Sequence, residues 1–566
     1  MLYLSDIRAW AMNKVKKNSR KKKKQVKREQ ISARNSEKST YGAAPDVAPS
    51  KSLETEIESA SETKGLVDGR SFQTVKSFSS LKSSNSERSS WSNLLAIIFI
   101  CGLAFVIYSN TLNVPFVFDD RINIPDNPAI RISQLTFENL SNSAFESPDP
   151  DRPLANVSLA LNYYFHEYEV AGYHLVNITI HALNGILLYF LFVITLKAPV
   201  LKRTIIRPKI TAFAAAVIWL AHPLQTQSVT YVIQRMNSMA TMFYILAMLL
   251  YVIARLSVSK KKKSFFFVGC AVSGLAAFWS KEIAITLPFF ILLYECYFLQ
   301  DLDTNWFRSK PFILTATIII LCAVIFAGQN LDAMFSYEGR QFTMEQRLLT
   351  EPRVVIFYIS QLFFPAPSRL NLFHDFSISL SVLRPLTTLF SVMTLAALLV
   401  LAGWFARSWR LLSFSILWYI GNLALESTVI PLEIIFEHRN YLPSTFVSLM
   451  FTYLVIQGLS FIRFKPLALI MLFLIAMTFS YWTYERNCDW RDEEILLIDC
   501  LEKAPNVART QASLGYVLLW QGRLDEAAKR FNTALSLNPT TDEKYRIQTN
   551  MDLINLMKRS PDYKKE

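Results

Sequence analysis

What most constrains this chain is a recurring apolar run of roughly 17–25 residues, the length an α-helix needs to cross about 30 Å of hydrocarbon. The runs begin near Trp91 and return as far as residue 484. Runs of that length satisfy their backbone N–H and C=O groups inside hydrocarbon only as helices. The fold class is therefore all-α and polytopic. Hydrophobic residues fill 52% of the 566 positions, and their concentration in these runs leaves long polar stretches between them. The candidate spans lie near 92–109, 174–198, 210–228, 231–256, 264–280, 282–299, 311–327, 384–405, 411–430, 441–461 and 466–484, about eleven transmembrane helices in all.

Charge orients them. The net charge of +14 is mostly local, in a basic block of Lys14, Lys16, Lys17, Arg20 to Lys24, Lys27 and Arg28. No aromatic residues interleave it and no folded reader surrounds it, so no nucleic-acid partner is expected. It reads as a solvated tail that keeps the amino terminus in the cytoplasm and touches anionic membrane lipid. Residues 31–90, rich in Ser, Lys, Glu and Thr, read as a disordered linker, which makes 1–90 a basic cytoplasmic tail. No short apolar core with a cleavage site precedes Trp91, so no removable signal peptide is expected. If the first span exits, Lys202, Arg203, Arg207 and Lys209 fall in the cytoplasm, and so do Lys260 to Lys263. Arg353 to Ala366 is apolar but short for a crossing and is read as re-entrant or interfacial. That reading keeps Arg407, Arg410, Arg463 and Lys465 inside and places the carboxyl terminus outside. The six cysteines show no metal-ligand spacing; Cys101, Cys270, Cys296 and Cys322 lie in apolar runs and read as small buried hydrophobes.

The membrane domain spans 91–486, and its first external loop, 110–172, is too rich in aromatics and leucines to be disordered. Arg152 to His166 has helical apolar spacing, as an amphipathic helix at the membrane surface would. From 487 to 566 the pattern becomes soluble, charged and helical. Leu514, Gly515, Ala527, Phe531, Ala534 and Pro539 match a tetratricopeptide repeat over 508–541. A degenerate preceding helix lies over 496–505 and a capping helix over 542–558. Fewer than three repeats rarely stand alone, so this is expected to be a short packing or docking module.

Ionisable residues beside spans are costly and face cavities or partners. Five groups stand out. They are Asp119-Asp120; His174, Asn177 and His181 on one helical face; His222-Pro223 with Gln234 to Asn237; Lys281-Glu282; and Glu426 with Glu433 and Glu437-His438-Arg439-Asn440-Tyr441. Each has a plain structural reading: the histidines bond neighbouring helices, Lys281-Glu282 is a surface ion pair, Glu437 and Arg439 staple a loop. Yet all fall at the outer ends of spans, whereas independent surface charges would appear on both sides. Together they describe one external, membrane-level polar site.

Phe118-Asp119-Asp120, Arg152-Pro153-Leu154, His174-Leu175-Val176-Asn177 with His181, Ala221-His222-Pro223, Ser280-Lys281-Glu282 and Glu437-His438-Arg439-Asn440-Tyr441-Leu442-Pro443 occur in that order. The set resembles the transmembrane-and-tetratricopeptide O-mannosyltransferases and their bacterial relatives, among the C-type membrane glycosyltransferases. The likeness runs from about 92 to 541. It implies transfer of a sugar, mannose or another hexose, from a polyprenyl-phosphate donor to a hydroxyl acceptor, with protein Ser/Thr expected. Transfer would occur outside the cytoplasm with inversion at the anomeric carbon. The chain departs from the family in carrying barely one repeat, and in having Gln227 and Asn237 where animal members tend to have acidic residues. The His438-Arg439 pair looks like the bacterial form, so a bacterial inner membrane is expected, with the endoplasmic reticulum as the alternative.

Such transfer needs a base for the acceptor hydroxyl and a cation for the departing phosphate. In an extended segment Asp119 and Asp120 point to opposite sides. The resemblance favours Asp119 as the base, leaving Asp120 to orient the site or help hold a divalent metal. Arg235 and Arg439, with Lys281 behind them, are the donor-phosphate candidates. His174, Asn177, Glu282, Glu433, Glu437, His438 and Tyr441 are expected to support them. A transporter or flippase would also carry intramembrane polar groups, but near the midplane and with inverted repeats. A non-catalytic scaffold docking partners through its repeat would need neither Asp119-Asp120 nor the charged span ends.

Overall fold

The computed structural model describes residues 86–201, 207–310, 335–459 and 466–559, with single positions between 312 and 328. The amino-terminal tail up to 85, Lys202, Arg203, Arg463, Lys465 and most of the 311–327 span lie outside the described residues. The described residues belong to one compact unit, 68–566. They are helical throughout, without strands; the single β-bridge joins Ser381 and Arg384.

Among the described residues, six helical segments are long and apolar enough to cross a membrane: Trp91–Thr111, Val170–Leu196, Val232–Leu256, Glu282–Leu299, Leu386–Trp404 and Leu467–Asp489. Pro208–Leu220 and Ser444–Gly458 are apolar but shorter. Lys260–Phe278 and Arg410–Ala424 are helices where spans were expected. Large apolar side chains stand exposed along these helices, among them Leu95, Ile98, Val106, Phe265, Val272, Phe390, Val400 and Phe473. In water such surface would be a liability; against lipid tails it is the natural face of a span. Inward, Tyr108, Trp219, Tyr244, Phe290, Phe414, Trp418, Tyr441 and Phe446 pack as one aromatic core. The chain is a polytopic membrane protein.

The stretch read as re-entrant belongs to a longer helix, Met344–Phe363, which is not among the membrane-crossing segments. It starts earlier than its apolar pattern because Thr343 and Gln346 form a reciprocal capping box, each side chain pairing with the other's backbone. The first loop carries the helices Phe137–Phe145 and Pro153–His166; Thr136 caps one, and Pro153 occupies the first turn of the other, where no N–H is needed.

Four helices end the chain: Glu493–Lys503, Ala508–Gln521, Leu524–Ser536 and Thr541–Arg559. They share a hydrophobic core with the first loop, through Val117, Ile124, Tyr231, Leu372, Phe373, Trp490 and Leu497. Arg121 pairs with Glu493 and lies over the Trp520 ring at 4.3 Å, and Lys503 donates to the Leu370 carbonyl at 3.0 Å. Within the central hairpin, Gly515 lets Phe531 approach so closely that a Cβ there would lie 2.6 Å from its ring. Gly515→Val should therefore overpack this contact and cost about 1–3 kcal/mol. Faster proteolysis after residue 490, with the membrane helices still protected, is the expected signature.

Candidate functional site

The polar groups picked out at span ends come together at one end of the helix bundle. Each flanks a helix terminus: Asp119-Asp120 follow the first long helix, His174 opens the second, and His222 follows Pro208–Leu220. Arg235 and Asn237 open Arg235–Leu256, Lys281 follows Lys260–Phe278, Glu426 follows Arg410–Ala424, and Glu437 to Asn440 precede Ser444–Gly458. They form two adjoining clusters, Arg235 belonging to one and Asn237 to the other.

The first cluster overturns the extended reading of the aspartates. Asp119–Asn123 is a short helical turn entered through Phe118 at φ 44. The pair is split by burial rather than by strand alternation. Asp120 is buried; its Oδ1 accepts from the Ile233 amide at 2.7 Å and its Oδ2 from the Val117 amide at 3.1 Å. Both oxygens are thus used in tying the loop to the start of the next helix, so Asp120 is not presented to a metal or a substrate. Among the described residues no three His, Cys, Asp or Glu side chains converge as metal ligands. Asp119 is exposed. Its amide donates to the Tyr231 hydroxyl at 2.9 Å, which anchors the backbone behind a solvent-facing carboxylate.

Burial pushes Asp120 up to about 8, against the pull of the Val117 and Ile233 amides. The folded chain then holds a proton that the unfolded chain, with an ordinary carboxyl, releases at lower pH. Stability contributed by this group is complete in acid and declines as pH rises through about 8. Asp120→Asn should flatten that decline, seen as a thermal midpoint in detergent that varies less between mild acid and pH ~8.

Arg235 is buried among neutral acceptors: Nε donates to Asn177 Oδ1 at 2.7 Å, Nη1 to the Ser158 carbonyl at 3.2 Å and Nη2 to the Tyr173 carbonyl at 3.0 Å. It locks the first loop to two helices and stands apart from Arg439 and Lys281. His174 bonds the Val114 carbonyl at 2.9 Å, and His181 bridges the Tyr441 hydroxyl at 2.7 Å and the Leu220 carbonyl at 3.0 Å. These are ties between elements, as their structural reading expected.

The second cluster is denser in charge. Lys281 Nζ, buried, donates to Glu426 Oε1 at 3.1 Å and Asn237 Oδ1 at 3.2 Å, so it pairs across the bundle and not with its neighbour. Glu282 instead takes Arg152 Nε at 3.0 Å. Burial pulls Lys281 below the ordinary lysine range; Glu426 opposes that and Arg152 adds to it. Arg439 donates to the Glu433 and Ile434 carbonyls at 2.6 and 3.0 Å, while its Nε is sealed without a partner among the described residues. Arg347 lies 2.7 Å from Glu351 and donates to the Glu426 carbonyl at 2.6 Å. Among these buried charges three cations, Lys281, Arg347 and Arg439, meet two carboxylates, and burial pushes Glu351 up to about 7.

Glu437 accepts from the Asn371 amide at 2.7 Å and from His374 Nε2 at 2.9 Å. Glu433, half-exposed, pairs with Arg340 at 2.7 Å and with Arg509 of the carboxyl-terminal helices at 3.3 Å. A cavity of about 260 Å³ opens beside it, lined by Arg340, Phe373, His374, Phe436, Val507 and Arg509 among others. Tyr231, Arg347, Glu351 and His374 were not singled out from the sequence. Three of them lie in segments without an apolar run of spanning length, and only their partners give them meaning.

One end of the helix bundle thus holds a buried charge cluster and an exposed carboxylate. The chain is 24% identical to a protein O-mannosyl-transferase of Caenorhabditis elegans, aligned over 80% of this chain and 63% of that protein. It is 25% identical to the protein O-mannosyl-transferases Tmtc3 of Drosophila melanogaster and TMTC3 of Homo sapiens, over 79% of this chain and 55% and 52% of theirs. The resemblance drawn from the ordered motifs is thus shared by named relatives along about four fifths of the chain, which itself spans little more than half the length of most of them. No protein-family model matches the chain, and no solved structure matches it.

Proposed function

We propose that the chain is a membrane glycosyltransferase that moves a sugar, mannose by analogy with its relatives' names, from a polyprenyl phosphate to a hydroxyl on a protein. The observation that carries this reading is the split of the aspartate pair. Asp120 is taken up by backbone amides, while Asp119, its backbone amide anchored on the Tyr231 hydroxyl, keeps an exposed carboxylate available as a general base. Lys281, Arg439 and Arg347 form the cationic side, where the negative charge of a departing lipid phosphate would be stabilised in a dry setting. Arg235, spent on Asn177, Ser158 and Tyr173, is a positioning residue.

Attack by the deprotonated hydroxyl on the anomeric carbon, opposite the leaving phosphate, inverts that centre. The reading keeps about eleven spans, the amino terminus in the cytoplasm, the site and the carboxyl-terminal tetratricopeptide-like helices outside, and the prenyl chain in a groove between helices. The test is transfer of labelled mannose from a polyprenyl-phosphate donor to a Ser/Thr peptide in membranes holding the full chain. Transfer from a nucleotide sugar instead, or movement of the lipid across the bilayer with no transfer, would sink the proposal.

A further inference from the structure

One neutral group in the second cluster has a state that its neighbours fix completely. Gln227 Oε1 lies 2.8 Å from the backbone N of His438. A backbone N–H can only donate, so that atom of Gln227 is the amide oxygen and not its nitrogen. His438 Nδ1 lies 2.9 Å from the same oxygen and therefore carries the ring proton. A neutral imidazole has one N–H, which leaves Nε2 with its lone pair.

Phe436 stacks on the ring at 5.2 Å and 23°, and Asn237 Nδ2 holds the backbone carbonyl of His438 at 2.9 Å. Among the described residues Nε2 has no partner; it is absent from the sealed polar atoms, and the residue keeps 8% of its surface open. The groups facing the ring are Lys281, Arg439 and Arg152; with burial, they hold the imidazole well below the usual histidine range and so uncharged.

We infer that His438 Nε2, oriented by Gln227, is a built hydrogen-bond acceptor for a hydroxyl group of the substrate. The sealed Gln227 Nε2 beside it can only donate, so this open lone pair is the place for a neutral O–H donor. The inference rests on the transferase reading, which supplies such hydroxyls on the phosphate-linked sugar; the attacking acceptor's single hydroxyl proton goes to Asp119 instead.

The test uses the full chain in lipid nanodiscs with polyprenyl-phosphate mannose, its single-deoxy analogues and a Ser/Thr peptide. His438→Phe keeps the stack and removes the acceptor; His438→Gln offers an oxygen near the Nε2 position. His438→Phe is expected to slow transfer about 10- to 100-fold, and His438→Gln to restore part of it. One deoxy donor is expected to be slow with the wild type, and His438→Phe to distinguish it from the parent no longer, which supports the inference. If His438→Phe slows all donors alike, no sugar hydroxyl meets Nε2 and the inference falls. Unchanged rate, donor ranking and pH profile in His438→Phe would overturn it.

A readout without activity separates this from the function itself. In ¹⁵N-histidine-labelled protein, His438 should be neutral with its proton on Nδ1 at neutral pH, the signal being assigned by its loss in His438→Gln. A proton on Nε2 overturns the inference even if transfer is seen. Absence of transfer by the wild type strikes the function alone, and the ¹⁵N signal still decides the state of His438.

Discussion

Asp119→Asn is expected to lower sugar transfer by about 10²- to 10⁴-fold while leaving the protein folded. The substitution keeps the shape and replaces a proton acceptor by an amide that has no useful basicity. Stability should barely change, because the Asp119 side chain is exposed and its main structural contribution is a backbone one: its amide donates to the Tyr231 hydroxyl and its carbonyl accepts from Asn123. Those bonds survive in the variant. Asp120→Asn gives the contrast, since that side chain answers to the Ile233 and Val117 amides and its loss should be read first in stability. Initial rates with a labelled lipid donor, beside thermal midpoints in the same detergent, separate the two. An Asp119→Asn protein that transfers at the wild-type rate would show that the base lies elsewhere.

Which of the two aspartates is open was legible in the sequence only as a question. The motif places two carboxylates after a span, and strand alternation offers a way to divide them, but the chain there forms a helical turn. What decides the division is Ile233, more than a hundred positions away, whose free amide at a helix start takes Asp120. The same holds for Lys281: adjacency suggested Glu282, and the bundle supplied Glu426. Helix positions were far easier to read. The apolar runs anticipated segments such as Val170–Leu196, Glu282–Leu299 and Leu386–Trp404 within a few residues, because hydrocarbon length is a local property of sequence. Where termini differed, caps and prolines decided. Pro208–Leu220 stops short of its expected end because His222-Pro223 begins a new turn capped by the His222 ring. The ordered motifs identified the neighbourhood of the site; pairings across it depend on tertiary approach, which periodicity does not encode.

The Lys281–Glu426 pair supplies the largest expected effect on stability. Both side chains are nearly closed to solvent, at 7% and 9% of their side-chain surface. Removing one partner leaves the other charged and unpaired where water cannot reach it, a loss of about 3–5 kcal/mol. Glu426→Gln should therefore lower the thermal midpoint sharply, and Lys281→Met should do the same. Replacing both removes the two desolvation penalties along with the attraction, and such double replacements are often close to neutral. Lys281→Met with Glu426→Leu is thus expected to regain most of the stability lost in either single variant. It should not regain transfer, because the lysine is then missing from the side that receives the phosphate. A double variant that is stable and inactive, with weakened binding of the polyprenyl phosphate, separates the charge needed for chemistry from the charge needed for folding. If it were stable and fully active, Lys281 would be a buried tie between helices, and the anion would have to be met by Arg439 and Arg347.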